Sequence, residues 1–98
     1  MHAKKLPVIF RRFKEGDIIA LFPGQTGTND SSTCNSYQHI GQHGSASVNL
    51  SNATTPAKYA EYLPLLRELR QIGYRDMEVV KRFTAKHRQE RERAINSA

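Results

Sequence analysis

The chain has 98 residues, 38% of them hydrophobic and 24% charged, with a formal net charge of +6. This length excludes more than one domain and a large core. The single cysteine excludes an intramolecular disulfide, and because we find no secretory signal we expect a cytoplasmic protein. The apolar run at residues 6–10 is too short to cross a membrane, so we expect no membrane partner.

Two β-prone runs begin the chain. The stretches "LPVIFRRF" and "DIIALFP" flank a turn at Gly16, which predicts a β-hairpin. The second run is almost wholly apolar, so we expect a central strand that is covered on both faces. A polar loop follows from Gly24 to Thr33.

The segment "CNSYQHIGQHG", residues 34–44, alternates in the manner of a strand. Alternation places Cys34 on one face and Tyr37 and His39 on the other. We expect a turn at Gly41–Gly44, and then a further strand in "SASVNL".

A helix is predicted in "TPAKYAEYLPLLRELRQIG". Thr55 is a suitable N-cap, Pro56 suits the first helical position, and Gly73 suits the end. Leucines and tyrosines at helical spacing form an apolar stripe. Pro64 predicts a kink near residues 60–63, or two short helices that meet there.

A strand is predicted after the helix, in "MEVV", and a charged segment follows it. Residues 84–98 have no continuous apolar stripe, so we expect a helical or disordered tail that is loosely attached. Residues 1–83 are expected to form the single domain. The order β-β-β-β-α-β predicts an α+β fold, in which a small, mainly antiparallel sheet of about five short strands packs on one amphipathic helix.

A metal or hydrolytic site at Cys34, His39 and His43 is one interpretation of the polar segment. Their C-x4-H-x3-H spacing brings together residue types that bind zinc or form a thiol–imidazole pair. A fourth ligand is not evident, and Cys34 and His39 point to opposite faces of a strand. No nucleophile-elbow, Walker or dinucleotide pattern is present. We therefore predict no catalytic residue, metal or cofactor.

Nucleic-acid binding is a second interpretation, because the positive charge lies at the two ends of the chain. Residues 1–14 carry +5, residues 15–80 carry −3 and residues 81–98 carry +4. This distribution favours an anionic partner, although basic ends can also serve solubility alone. Aromatic residues lie near the basic ones in sequence, which would allow stacking of bases and contacts to phosphates that weaken with salt. The predicted contact residues are Arg11, Arg12, Lys14, Lys81 and Arg82.

The leading interpretation is a non-enzymatic binding protein whose partner is another protein or a second copy of the chain. Small domains with an exposed strand edge often associate through that edge. The predicted binding residues are Tyr37, His39, Gln42 and His43.

Four segments of the chain, "IALFP", "SYQHIGQH", "TPAKY" and "IGY", resemble a group of small bacterial proteins that are often encoded on plasmids and other mobile elements. The group shares an I-A-L-F-P strand, an S-Y-x-H-x-G-Q-H segment, and a helix that begins near T-P-x-x-Y and ends near I-G-Y. The resemblance runs from about Val8 to Arg82. The group has no assigned activity, so the resemblance implies a bacterial, cytoplasmic setting and no function.

Overall fold

The computed structural model describes residues 5–97, except for the side chain of Ser51, so residues 1–4 and 98 of the predicted domain and tail lie outside it. The prediction of an α+β fold with a mainly antiparallel sheet and a helix after the strands is confirmed. A short 3₁₀ helix spans Val48–Asn52. The α-helices are α1 (Tyr59–Gln71) and α2 (Ala85–Asn96). The strands are β1 (Leu6–Arg12), β2 (Ile18–Phe22), β3 (Thr33–Gln38), β4 (Gln42–Ser47), β5 (Thr55–Pro56) and β6 (Met77–Val79).

The sheet runs in the order β4-β3-β2-β1, and two short strands share the remaining edge of β1. Strand β5 pairs antiparallel with β1 at Arg11 and Arg12. Strand β6 pairs in parallel with the first residues of β1 and begins with the pair Leu6 and Met77. The two short strands therefore occupy successive parts of this edge and leave a gap between them beside residues 9–10 of β1.

Both faces of the sheet are apolar, as the composition of β2 predicts. Phe22 faces the cluster under α1, whereas Leu21 faces a second cluster on the opposite side. The buried members of the first cluster are Val8, Phe10, Ala20, Phe22, Tyr37, Leu65, Leu66 and Leu69. The buried members of the second are Ile9, Ile19, Leu21 and Cys34.

Helix α1 begins later than predicted. Thr55 and Pro56 pair with β1 as β5, so Thr55 is not the N-cap; that position is Lys58. The Glu61 carboxylate closes the first turn by accepting the Lys58 N–H at 2.8 Å. The prediction of two short helices is wrong, because α1 runs on through Pro64. Pro64 is the sixth residue of the helix, so its missing N–H leaves the Ala60 carbonyl without its usual intrahelical partner. Ala60 is exposed, so this carbonyl can bond to water instead.

The hairpin between β3 and β4 turns earlier than predicted. Gln38 pairs with Gln42, so the loop is residues 39–41, and Gly44 lies within β4 opposite Ser36. Gly41 has a φ of 65°, a left-handed conformation that glycine adopts without steric cost. The peptide bond between His39 and Ile40 is cis.

The expected loose tail is not confirmed, because its residues form α2 and this helix is anchored. The Arg91 side chain is only 4% exposed. Its Nη1 donates to the Pro23 carbonyl at 2.6 Å and its Nε to the Ser31 carbonyl at 2.8 Å. The guanidinium also lies 5.6 Å from the centre of the Phe83 ring. A polar anchor of this kind leaves no apolar stripe in the sequence.

Within residues 5–97, neither helix is long and apolar enough to cross a membrane.

Candidate functional site

Cys34 and the two histidines of the polar segment lie on opposite faces of the sheet. Cys34 is fully buried in the second cluster, and burial raises the pKa of its thiol to about 11. His43 lies on the other face, where its ring meets the edge of Tyr37 at 4.7 Å between centroids. Among the described residues, no group of three or more His, Cys, Asp or Glu could hold a metal ion. The fold therefore does not assemble the Cys34–His39–His43 site or a reactive thiolate.

The predicted binding residues take part in a polar cluster that ties the β3–β4 loop to α1. The Tyr37 hydroxyl donates to the Glu68 carboxylate and accepts the Gly41 N–H at 2.8 Å. The His39 Nδ1 also bonds to Glu68. These two bonds hold the pKa of Glu68 below its ordinary value, and the bond to Glu68 raises the pKa of Tyr37. The carboxylate is thus already engaged by its own chain.

A second contact closes the same cluster. The His43 Nε2 lies 3.0 Å from the Tyr74 hydroxyl, and the Tyr74 ring stacks on Phe22 at 5.1 Å. Tyr37 is buried, whereas His39 and His43 are exposed beside it. Gln42 precedes His43 on β4 and so points to the opposite face of the sheet. The four predicted residues therefore do not share one surface. Tyr37 and His39 hold the hairpin against α1, and His43 contacts Tyr74 in the segment after that helix.

Two concavities lie beside the gap between β5 and β6, one on the α1 face of the sheet next to Phe10 and one on the opposite face next to Ile9, and together we call them the basic groove. The larger part has a volume of about 630 Å³. The smaller part has a volume of about 390 Å³ and shares Arg11 and Lys81 with the larger one. Residues that line the larger part include Phe10, Arg11, Lys58, Tyr59, Tyr62 and Lys81. Residues that line the smaller part include Arg11, Asn49, Lys81, Arg82 and Phe83.

Four cations line the basic groove, and no acid is among its described lining residues. They are Arg11, Lys58, Lys81 and Arg82. Glu61 lies one turn into α1, where its Oε2 is 3.0 Å from the Arg12 Nε and its Oε1 accepts the Lys58 N–H. That carboxylate is therefore balanced by Arg12 and by the positive end of the helix.

Arg11 lines both parts of the groove, and hydrogen bonds to Thr54 fix its side chain. Its Nε donates to the Thr54 hydroxyl at 3.0 Å and its Nη2 to the Thr54 carbonyl at 2.6 Å. Burial lowers the pKa of this guanidinium, although arginine stays charged in proteins. Arg11 therefore contributes positive potential from a fixed position, whereas Lys58, Lys81 and Arg82 are exposed and can move toward a ligand.

Three of the five predicted nucleic-acid contacts, Arg11, Lys81 and Arg82, thus come together at one surface. The other two do not join them. Arg12 faces α1 and pairs with Glu61, and Lys14 lies in the turn between β1 and β2.

The groove also holds an exposed aromatic residue that the sequence interpretation assigned to the apolar stripe of the helix. Tyr59 is 62% exposed at the start of α1. Its ring packs edge to face with Tyr62 at 5.5 Å, and Tyr62 stacks on Phe10 at 4.4 Å and 4°. The position of Tyr59 in the helix could have indicated its exposure. The buried leucines of α1 begin only at Leu65, so a tyrosine in the first turn lies beyond the core.

At the other edge of the sheet, β4 pairs only with β3 among the described strands. Its sequence, QHGSAS, has no charged residue and no proline. Proteins commonly use those residues to prevent unwanted pairing at a sheet edge. The β4 edge is therefore open to a further strand.

Comparison of the chain with protein families, with curated proteins and with solved structures gives no match.

Proposed function

We propose that this protein is a non-enzymatic nucleic-acid-binding protein and that the basic groove is its contact surface. The observation that carries the proposal is the set of four cations around the two adjoining concavities of the basic groove, three of them lining each one. They come from three distant parts of the chain: β1, the start of α1, and the segment after β6. A concave surface with one sign of charge concentrates field lines and attracts polyanions. A cytoplasmic setting, in which nucleic acid is abundant, is part of this proposal.

The expected salt dependence follows from the number of exposed cations. Lys58, Lys81 and Arg82 can each neutralise one phosphate, and each contact contributes about −0.7 to −0.9 to the slope of log affinity against log salt. Three contacts give a slope of about −2 to −3, which is a loss of roughly 20- to 40-fold between about 50 and 200 mM salt.

The proposal is tested by fluorescence anisotropy with labelled single-stranded and duplex oligonucleotides over a series of salt concentrations. We expect Lys81→Ala to weaken binding and to reduce the slope by about 0.7 to 0.9. Arg70→Ala is the matched control, because it removes the same charge eleven residues along α1 from Tyr59, about 16 Å away. An absence of binding by folded protein at low salt would refute the proposal, as would equal effects of the two substitutions.

A second candidate function, self-association through β4, rests on the open edge of that strand. Strand alternation directs the backbone N–H and C=O groups of Ser45 outward, away from β3. Two copies could therefore pair their β4 strands antiparallel about a two-fold axis. A solution mass measurement that finds only monomer at high concentration would exclude this candidate. If a dimer is found, Ser45→Lys should convert it to monomer, because like charges would then face each other across the new pair.

A further inference from the structure

The larger part of the basic groove combines aromatic and cationic side chains. Its lining holds three aromatic rings and the cations Arg11, Lys58 and Lys81, with Tyr59 at the rim and Val79, 41% exposed, on the opposite wall. The smaller part carries Arg82 and the amide side chain of Asn49. Lys81 lines both parts and so lies at their junction. An exposed aromatic ring flanked by cations matches the two chemical components of a nucleotide, the base and the phosphate.

From this arrangement we propose that the larger part of the basic groove binds a single strand, with one unpaired base stacked on Tyr59 and the adjacent phosphate held by Lys58 and Lys81. This inference rests on the proposed function and adds to it the strandedness of the ligand. In a duplex, each base is stacked between its neighbours and only the edges of the bases and the phosphates are accessible. An aromatic side chain can stack only on a base that is unpaired and turned outward.

The packing around Tyr59 favours this role. The ring is braced by Tyr62, which is fixed in turn by its stacking on Phe10 in the first cluster. A side chain that is already positioned loses less conformational entropy when it binds. Most of the Tyr59 surface is nevertheless exposed in the free protein, so a stacked base would remove apolar area from water. Stacking alone discriminates little between bases, so we expect single strands of different sequence to bind comparably.

The inference is tested with three probes: a labelled oligothymidylate dodecamer, a duplex of the same length, and inorganic polyphosphate as a competitor. We expect Tyr59→Ala to weaken binding of the oligothymidylate about 5- to 150-fold, because that is the range for the loss of one stacked base. Binding of the duplex and competition by polyphosphate should be unchanged. Tyr59→Phe keeps the ring and should bind the single strand like the parent, whereas Lys81→Ala should weaken all three interactions.

A photochemical experiment keeps the inference testable if Tyr59→Ala proves unstable. An oligonucleotide that contains 5-iodouracil forms an adduct with an aromatic ring on which it stacks. We expect the adduct on Tyr59 of the unaltered protein, and an adduct confined to residues outside the groove would overturn the inference.

Lys81→Ala and Tyr59→Ala distinguish a failure of this inference from a failure of the proposed function. If Lys81→Ala weakens binding but Tyr59→Ala does not, the groove binds phosphate without stacking a base, and only the inference is refuted. If the duplex binds as tightly as the single strand, the inference is also refuted. If none of the three probes binds, the proposed function itself is wrong.

Discussion

Substitution of Gly27 by alanine gives the sharpest test of the packing between the loop and the β3–β4 hairpin. A Cβ atom at this position would lie 2.4 Å from the Ser45 Cβ and 2.7 Å from the Cys34 carbonyl oxygen. Carbon atoms in contact are about 3.5–4.0 Å apart, so the overlap with Ser45 exceeds about 1 Å. Neither neighbouring atom can rotate away, because one is a Cβ and the other is backbone. The loop or the hairpin must therefore shift.

The expected cost follows from these distances. Overpacking of an ordered region typically costs about 1–3 kcal/mol, and an overlap of this size belongs to the upper part of that range. Replacing glycine also restricts the unfolded chain, which offsets about 0.4–1 kcal/mol. We therefore expect a net loss of about 1–2 kcal/mol of unfolding free energy, or roughly 5–15 °C in Tm for a domain of this size.

The assay is urea unfolding followed by circular dichroism, with Gly44→Ala as the matched control. A Cβ on Gly44 would meet only the Ser36 hydroxyl oxygen, at 3.6 Å, an ordinary contact. This control should be neutral, or more stable by up to about 1 kcal/mol, because alanine is less costly than glycine within a strand. Equal midpoints and equal slopes for the two variants would refute the close approach of the loop at Gly27.

Three further predictions concern buried and titrating groups. Arg91→Met should lower the unfolding free energy by about 1.5–3 kcal/mol, because it removes charged hydrogen bonds to the carbonyls of the buried Pro23 and the half-buried Ser31. Arg93→Met, exposed on the same helix, should leave the urea midpoint unchanged. Cys34 should react with Ellman's reagent in the native protein far more slowly than in urea, even at about pH 8.5, where an exposed thiol is half ionised; equal rates would contradict its burial. The pKa of Glu68 is lowered in the folded state, so its contribution to stability is present above about pH 4.3 and is lost as the pH falls through its folded pKa. Glu68→Gln should therefore flatten the acid limb of a plot of Tm against pH, and an unchanged slope there would show that the carboxylate is not engaged.

The sequence predicts those parts of the fold that depend on local patterns. The apolar run of β2 predicts a central strand because every side chain in it must be covered, and Leu21 and Phe22 do face different clusters. The alternation in β3 correctly separates Cys34 from Tyr37. The start of α1 could not be predicted in this way. Thr55 and Pro56 have good helix-start chemistry, but their pairing with a distant strand prevails over the local preference.

The candidate site is predicted in part, for a related reason. Basic residues at both ends of the chain point to Arg11, Lys81 and Arg82, yet nothing local shows that β6 returns in parallel to β1 and brings them together. Tyr59 could not be separated from the apolar stripe of α1 without knowing where the sheet ends. The docking of α2 leaves no apolar pattern, because the buried side chains of this helix are polar: His87, and Arg91, which donates to two backbone carbonyls.

The parallel pairing of β1 with β6 also determines when the groove can exist. It joins Leu6 to Met77. One of the first strands to be synthesised therefore pairs with one of the last, and this edge of the sheet is complete only when both have been made. Closing so long a loop is slow, because its entropy must be lost before the contacts it permits are gained. Lys81 and Arg82 follow β6 directly, so the full set of cations assembles only at this late step. We expect a chain still emerging from the ribosome to lack the basic groove, and thus to complete its folding before it can hold nucleic acid there.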